Sequence, residues 1–241
     1  MDSILIKKGL KELLEYIPVE LAPMGWSFSK NQPEDAFTFE INKRNCMFNH
    51  IKSISRGKKL CFSSNRVGCG AGNCYLGFDN PENMEQRITA AVSEREKFKK
   101  TKELGNAFFK GVQITHTKKE FLILERIEDI RDNIEIEVVV LWVSALSIAG
   151  LTTLANFDRE TNDNVLIPFG SGCQGIWTHP YLENEKSIIG CIDPSIRWKI
   201  PFNVLSFSVN SKRFVEMTDN VSESFLKKEF WLKAVNKMKD N

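Results

Sequence analysis

The chain has 241 residues and a formal charge of only +2 at pH 7. That length supports a core without disulfide staples, and the charge balance excludes the clustered basic footprint of a nucleic-acid binder. The one dense basic run, Lys97-Phe98-Lys99-Lys100-Thr101-Lys102, reads as a solvated helix face.

The N-terminus carries Asp2, Lys7 and Lys8 inside an amphipathic pattern, with no apolar leader and no small-residue cleavage site. A cytoplasmic location is therefore expected for the six cysteines at 46, 61, 69, 74, 173 and 191. In a reducing compartment, patterned cysteines bind metals or react more often than they form disulfides.

Residues 3–16 show an apolar helical stripe through Ile4, Leu5, Leu10, Leu13, Leu14 and Ile17. Pro18 and Pro23 bracket a loop or short extended piece. Residues 37–41 alternate like a strand, and a helix follows through Cys46, Met47, Ile51 and Ile54 to Gly57. Residues 59–63 are a second strand, followed by a turn, Gly68-Cys69-Gly70-Ala71-Gly72-Asn73-Cys74-Tyr75-Leu76-Gly77-Phe78. Pro81 opens a long charged helical region through Met84, Ile88, Ala91 and Val92.

Residues 121–124 form a strand. Val138 to Asn156 carries no charge and approaches spanning length. The alternation at 134–137 and the β-branched run at 138–142 read as one strand, 134–142, that becomes fully buried, and the small and hydroxyl residues after Ser144 as a helix capped by Ser144. Strands follow at 165–168, 187–191 and 202–209. Between the first two lies a second glycine-cysteine turn, Gly170-Ser171-Gly172-Cys173-Gln174-Gly175. The tail from Ser211 is helical, with Phe225, Phe230, Trp231, Leu232 and Val235 turned inward. The class is α+β, with mixed sheet or sheets, packed helices and a C-terminal helical segment. The chain reads as one domain, 1–241, or as two intimately packed halves, about 1–115 and 116–241.

Cys69 and Cys74 stand as C-x4-C with no second pair, so no local zinc or ferredoxin motif is present. A metal site would have to gather distant cysteines. Cys46, Cys69 and Cys173 are the set expected to hold an iron–sulfur cluster, 4Fe-4S by preference, with Cys74 or His50 as a fourth ligand. His50 is placed with Cys46 on one helical face by its i,i+4 spacing. Cys61 and Cys191, inside strands, read as buried apolar residues.

Glycine amides at Gly70, Gly72 and Gly172, with Gln174, offer an anion or ligand nest. Tyr75 stands where a dinucleotide fingerprint requires glycine or alanine, and no G-K-[ST] follows. A thiol enzyme would need Cys173 at a helix start with a depressed pKa, and no histidine is selected as its base. Asp193 suits an N-cap before Pro194. In a sharper reading, Asp193 and Arg197 line a ligand pocket below Cys191.

Taken in order, Cys46-Met47 with Gly57, Cys69-Gly70 … Tyr75-Leu76-Gly77-Phe78, the strand and helix at 136–156, Gly172-Cys173-Gln174, Gly190 … Asp193-Pro194-Ser195 … Arg197 and Ser224-Phe225-Leu226 … Trp231 resemble the family known as domain of unknown function 169. The resemblance runs from about residue 40 to the end of the chain. It implies that Cys46, Cys69 and Cys173 occupy the family's cysteine positions, with Cys61, Cys74 and Cys191 outside them. It implies no activity. The expected function is a cysteine-ligated, iron–sulfur centre in a redox or cofactor-handling role, with a small molecule or a redox protein as partner and neither nucleic acid nor membrane. A non-catalytic small-molecule or anion-binding module stands second, and a thiol-dependent enzyme third.

Overall fold

The computed structural model describes all residues except 42, 65, 79–81 and 240–241; Pro81, the expected start of the charged helical region, lies outside the described residues, and that region is helical over 84–95. The strands are β1 (Leu21–Ser29), β2 (Ala36–Thr38), β3 (Lys59–Phe62), β4 (Phe121–Arg126), β5 (Val138–Val143), β6 (Val165–Leu166), β7 (Ser187–Gly190) and β8 (Leu205–Asn210). The helices are α1 (Ser3–Leu14), α2 (Ile51–Ile54), α3 (Gly70–Tyr75), α4 (Met84–Ala90), α5 (Lys102–Lys110), α6 (Ala145–Asn156), α7 (His179–Leu182), α8 (Ser211–Asp219) and α9 (Glu229–Lys239). Short 3-10 and π turns join them. This is the expected α+β class with a C-terminal helix.

All eight strands form one sheet in the order β2-β3-β4-β1-β5-β8-β7-β6. Only the two outer pairs, β2–β3 and β6–β7, are parallel. Read outward from the centre, β1-β4-β3-β2 repeats as β5-β8-β7-β6, and the two sets join through the antiparallel β1–β5 pairing. The halves therefore meet between residues 126 and 138. The repeat puts Cys46 in the β2–β3 connection and Cys173 in the equivalent β6–β7 connection.

β5 is buried at every residue because helices cover both faces of the sheet. Val138, Val140 and Trp142 face one core, with Trp26, Phe62 and Trp177. Val139, Leu141 and Val143 face the other, with α1, α6, α8 and α9 packed over them. The cysteine-rich connections lie on the first side.

Several local readings change. β1 takes the extended form of the stretch read as a loop or short extended piece and runs on to Ser29; Pro23 sits where the β1–β5 register shifts between Leu21 and Met24, the kind of irregularity in which a strand accommodates proline. α1 buries Ile6, Leu10 and Leu13, while Ile4, Leu5 and Leu14 are exposed. The basic run is not a helix face. Residues 96–101 form a bent connection before α5, with Lys97 at φ 56°. Ser144 holds the N-cap position of α6, but its hydroxyl makes no capping bond. In the tail, Trp231 and Val235 are buried, whereas Phe230 and Leu232 are exposed. Among the described residues, no helix is long and apolar enough to cross a membrane.

Candidate cysteine centre

Three segments far apart in sequence meet beside the first core. The chain at 45–46 docks on 68–69 through a backbone bond, Asn45 N–H to Gly68 O, of 2.8 Å. Gly68 has φ 79°, and a side chain there would place its Cβ 2.9 Å from Asn45 O. Glycine meets both demands, positive φ and close backbone approach. Gly172 serves the third segment: an added Cβ would lie 2.5 Å from Phe48 Cζ. The connection carrying Cys173 thus presses directly on the one carrying Cys46.

Two of the sulfurs, those of Cys69 and Cys173, lie beside Gly72. An added Cβ at Gly72 would lie 3.4 Å from Cys69 Sγ and 3.9 Å from Cys173 Sγ. The two sulfurs can be no farther apart than those distances laid end to end. Cys69 is the N-cap of α3, so the glycine-cysteine turn is in fact a cap and a short helix, and the Gly72 N–H donates to Cys69 Sγ at 3.1 Å.

Burial pushes the Cys173 thiol well up, and the neighbouring Cys69 and Cys46 add to that rise. Burial also raises Cys69, with Cys46 adding to it, while the Gly72 and Ala71 amides and Lys199 oppose it. These shifts run against the thiol-enzyme expectation. Cys173 does lie in a first helical turn, but desolvation outweighs any gain from that position. Among the described residues, no three His, Cys, Asp or Glu side chains are grouped to hold a single metal ion.

Cys173 is buried and Cys46 half-buried; Cys69 is exposed as a residue, although surrounding protein desolvates its thiol. Cys46 and Cys69 open on to a cavity of roughly 830 Å³. Its walls carry Lys43, Arg44, Arg87, Arg95 and Lys199 against Glu40 and Glu96.

The other sequence-derived candidates fall elsewhere. Cys46 precedes its helical turn in extended conformation, so it does not share a helix face with His50. The His50 ring packs on Phe37 and Phe39 and its Nε2 meets Asn45 Nδ2 at 3.1 Å. Burial and then Lys58 hold His50 below its usual pKa. Cys74 is fully buried in the apolar core, and burial alone accounts for its raised pKa. Cys61 lies in β3 as the apolar residue expected.

Gln174 Oε1 accepts from Ser171 N–H at 2.8 Å and so braces its own turn. Asp193 accepts from Ser195 N–H as an N-cap. The Arg197 guanidinium donates to the carbonyls of Cys191, Pro201, Phe202 and Val204, which secures the loops on either side of it. Gly70 lies at the cavity wall, where an added Cβ would sit 3.4 Å from Arg87 Nη2.

Sequence reasoning missed the cationic wall and the environment of Cys191. That residue follows β7 at φ 61°, is buried, and contributes to the raised Cys173 thiol. The signal was the glycine pair: Gly175 and Gly190 approach so closely that a Cβ on Gly175 would lie 2.9 Å from Gly190 Cα.

The sequence model of DUF169, described as uncharacterised ArCR, matches residues 12–220. The match begins inside α1, upstream of the resembling motifs, and ends before Ser224 and Trp231. No curated protein and no solved structure matches the chain.

Proposed function

This chain belongs to the DUF169 family, and we propose that it carries an iron–sulfur cluster on Cys46, Cys69 and Cys173 in a redox or cofactor-handling role. The observation that supports this reading is the approach of Cys69 and Cys173 beside Gly72, with Cys46 near enough to raise both thiols. The donor set is all sulfur, which suits iron–sulfur chemistry. A single zinc ion, with Zn–S bonds of about 2.3 Å, would draw its thiolates into a tight tetrahedron. No three such side chains are grouped for a metal ion among the described residues, so the reading rests on the placement of the thiols and not on a preformed ligand set. His50 and Cys74 are turned elsewhere, so three ligands and one position open to the cavity fit a 4Fe-4S centre. Such a cluster, when bound, supplies one-electron transfer or a Lewis-acidic iron.

The chain's own residues would set its properties. The Gly72 amide, already directed at Cys69 Sγ, would hydrogen-bond the ligand thiolate and raise the potential. Lys199 would offset its negative charge. The buried side at Cys173 would exclude water, while Cys69 would keep the cavity side accessible.

Anaerobic purification and reconstitution with iron and sulfide test the reading. Brown protein with matched iron and acid-labile sulfide is expected, with loss of both in Cys69→Ser. Colourless, iron-free protein after reconstitution would sink it.

A further inference from the structure

We infer that the cationic wall over the thiols is a binding site for a small molecule bearing two or more oxyanion groups, phosphate or carboxylate. The main cavity of roughly 830 Å³ lies within the size range of small-molecule sites. A neighbouring hollow of roughly 490 Å³ shares Arg44, Arg87 and Arg95 with it, so three guanidinium groups stand where the two spaces meet.

Two of the five cavity cations have a carboxylate partner at the wall: Lys43 with Glu40 at 2.6 Å and Arg95 with Glu96 at 3.3 Å. Among the described residues, Arg44, Arg87 and Lys199 have no salt bridge. Surplus positive charge inside a concavity focuses the field and draws anions in. Arginine's planar fork matches the paired oxygens of phosphate and carboxylate. The three come from different elements: Arg44 precedes the Cys46 turn, Arg87 lies on α4 and Lys199 ends the 3-10 turn Pro194–Lys199. Three cations without a salt bridge around one cavity can pair with more than one anionic group.

The Gly72 amide is not what recognises the anion here. Gly72 N–H is committed to Cys69 Sγ, and Gly172 is packed against Phe48 and Ile196. Side-chain cations do the recognising. Where the ligand would face the thiols rests on the cluster reading above, but its binding does not, so iron-free protein can be used.

Pyrophosphate and citrate are titrated calorimetrically into iron-free full-length protein at low and high salt. At least one is expected to bind, with Arg44→Gln and Arg87→Gln each weakening it about tenfold, an effect expected from losing one charge-assisted contact. Lys110→Gln, away from the cavity, should leave it unchanged. Both arginines are exposed, so the variants are expected to fold, which circular dichroism verifies. Pyrophosphate alone identifies a phosphate site, citrate alone a carboxylate site, and both together a site that reads charge. Binding of neither, or equal binding by the Arg44→Gln/Arg87→Gln double variant, overturns the inference. Reduced iron loading in that double variant, without anion binding in the wild type, would assign the cations to the cluster instead. Anion binding by a protein that never takes up iron would sink the cluster reading and leave this one standing.

Discussion

Replacing Gly72 by alanine separates folding from metal uptake. The new methyl would stand 3.4 Å from Cys69 Sγ and 3.9 Å from Cys173 Sγ, ordinary van der Waals distances. Its only tight neighbour is Val67 Cγ1 at 3.1 Å, the end of a side chain that can shift by a few tenths of an ångström. Gly72 lies inside α3, where alanine is favoured over glycine by up to about 1 kcal/mol. A small packing cost, about 1 kcal/mol at the low end for overfilled cores, opposes this gain. The net change is within about 1 kcal/mol, or a Tm shift of about 4 °C or less for a chain of this size. Yet the methyl fills space against both sulfurs, where a centre bridging them would sit. Iron per chain after reconstitution should fall severalfold while calorimetry shows a nearly unchanged Tm. Wild-type iron uptake would refute the claim that the thiols meet around Gly72. A collapsed Tm would refute the packing argument.

Gly172→Ala should act differently. Its Cβ would run into the Phe48 ring at 2.5 Å and into Ile196, parts of a filled core, so a loss of about 1–3 kcal/mol is expected in chemical denaturation. Arg213 is 1% exposed and pairs with Asp158 at 2.6 Å and Glu216 at 3.1 Å. Arg213→Ala leaves both part-exposed carboxylates to Arg159, 2.9 Å from Glu216 and 3.8 Å from Asp158, and should cost about 1–3 kcal/mol, measured as a shift in the urea midpoint.

The iron-free protein should also weaken in alkali. Burial raises the Cys61 and Cys191 thiols from 9.0 to about 12. Such groups ionise first in the unfolded chain, so their contribution is intact below pH 9 and is lost as pH rises toward 12. The slope is up to about 1.4 kcal/mol per pH unit for each thiol. A midpoint flat from pH 8.5 to 10.5 would contradict this, whereas Cys61→Ala should flatten the slope in part.

Much of the fold was legible because patterns of period two and period 3.6 survive in the sequence. β3, β4, β5 and α6 stand where alternation and β-branched runs placed them. β1 was hidden by Pro18 and Pro23, since a bulge that tolerates proline leaves no local mark. The repeated strand order was also hidden: the halves share topology without sharing spacing, with β3 and Cys69 separated by a loop while Cys191 follows β7 at once. The approach of Cys69 and Cys173 was readable from their glycine neighbours, because glycine beside cysteine signals close approach, whereas Cys46, between Asn45 and Met47, carries no such mark. The misreading of His50 came from assuming a regular helix, where Cys46 is an extended cap. Arg44, Arg87 and Lys199 looked like ordinary surface charge, because only the fold brings them around one cavity.

Mössbauer spectroscopy with parallel sulfide assay on anaerobically reconstituted protein tests the central claim most directly. About four irons and four sulfides per chain are expected for a 4Fe-4S centre, lost on serine substitution at Cys46, Cys69 or Cys173 and retained in Cys74→Ser. Absence of iron from the wild type, or loss of the spectrum only on replacing Cys74, would contradict it.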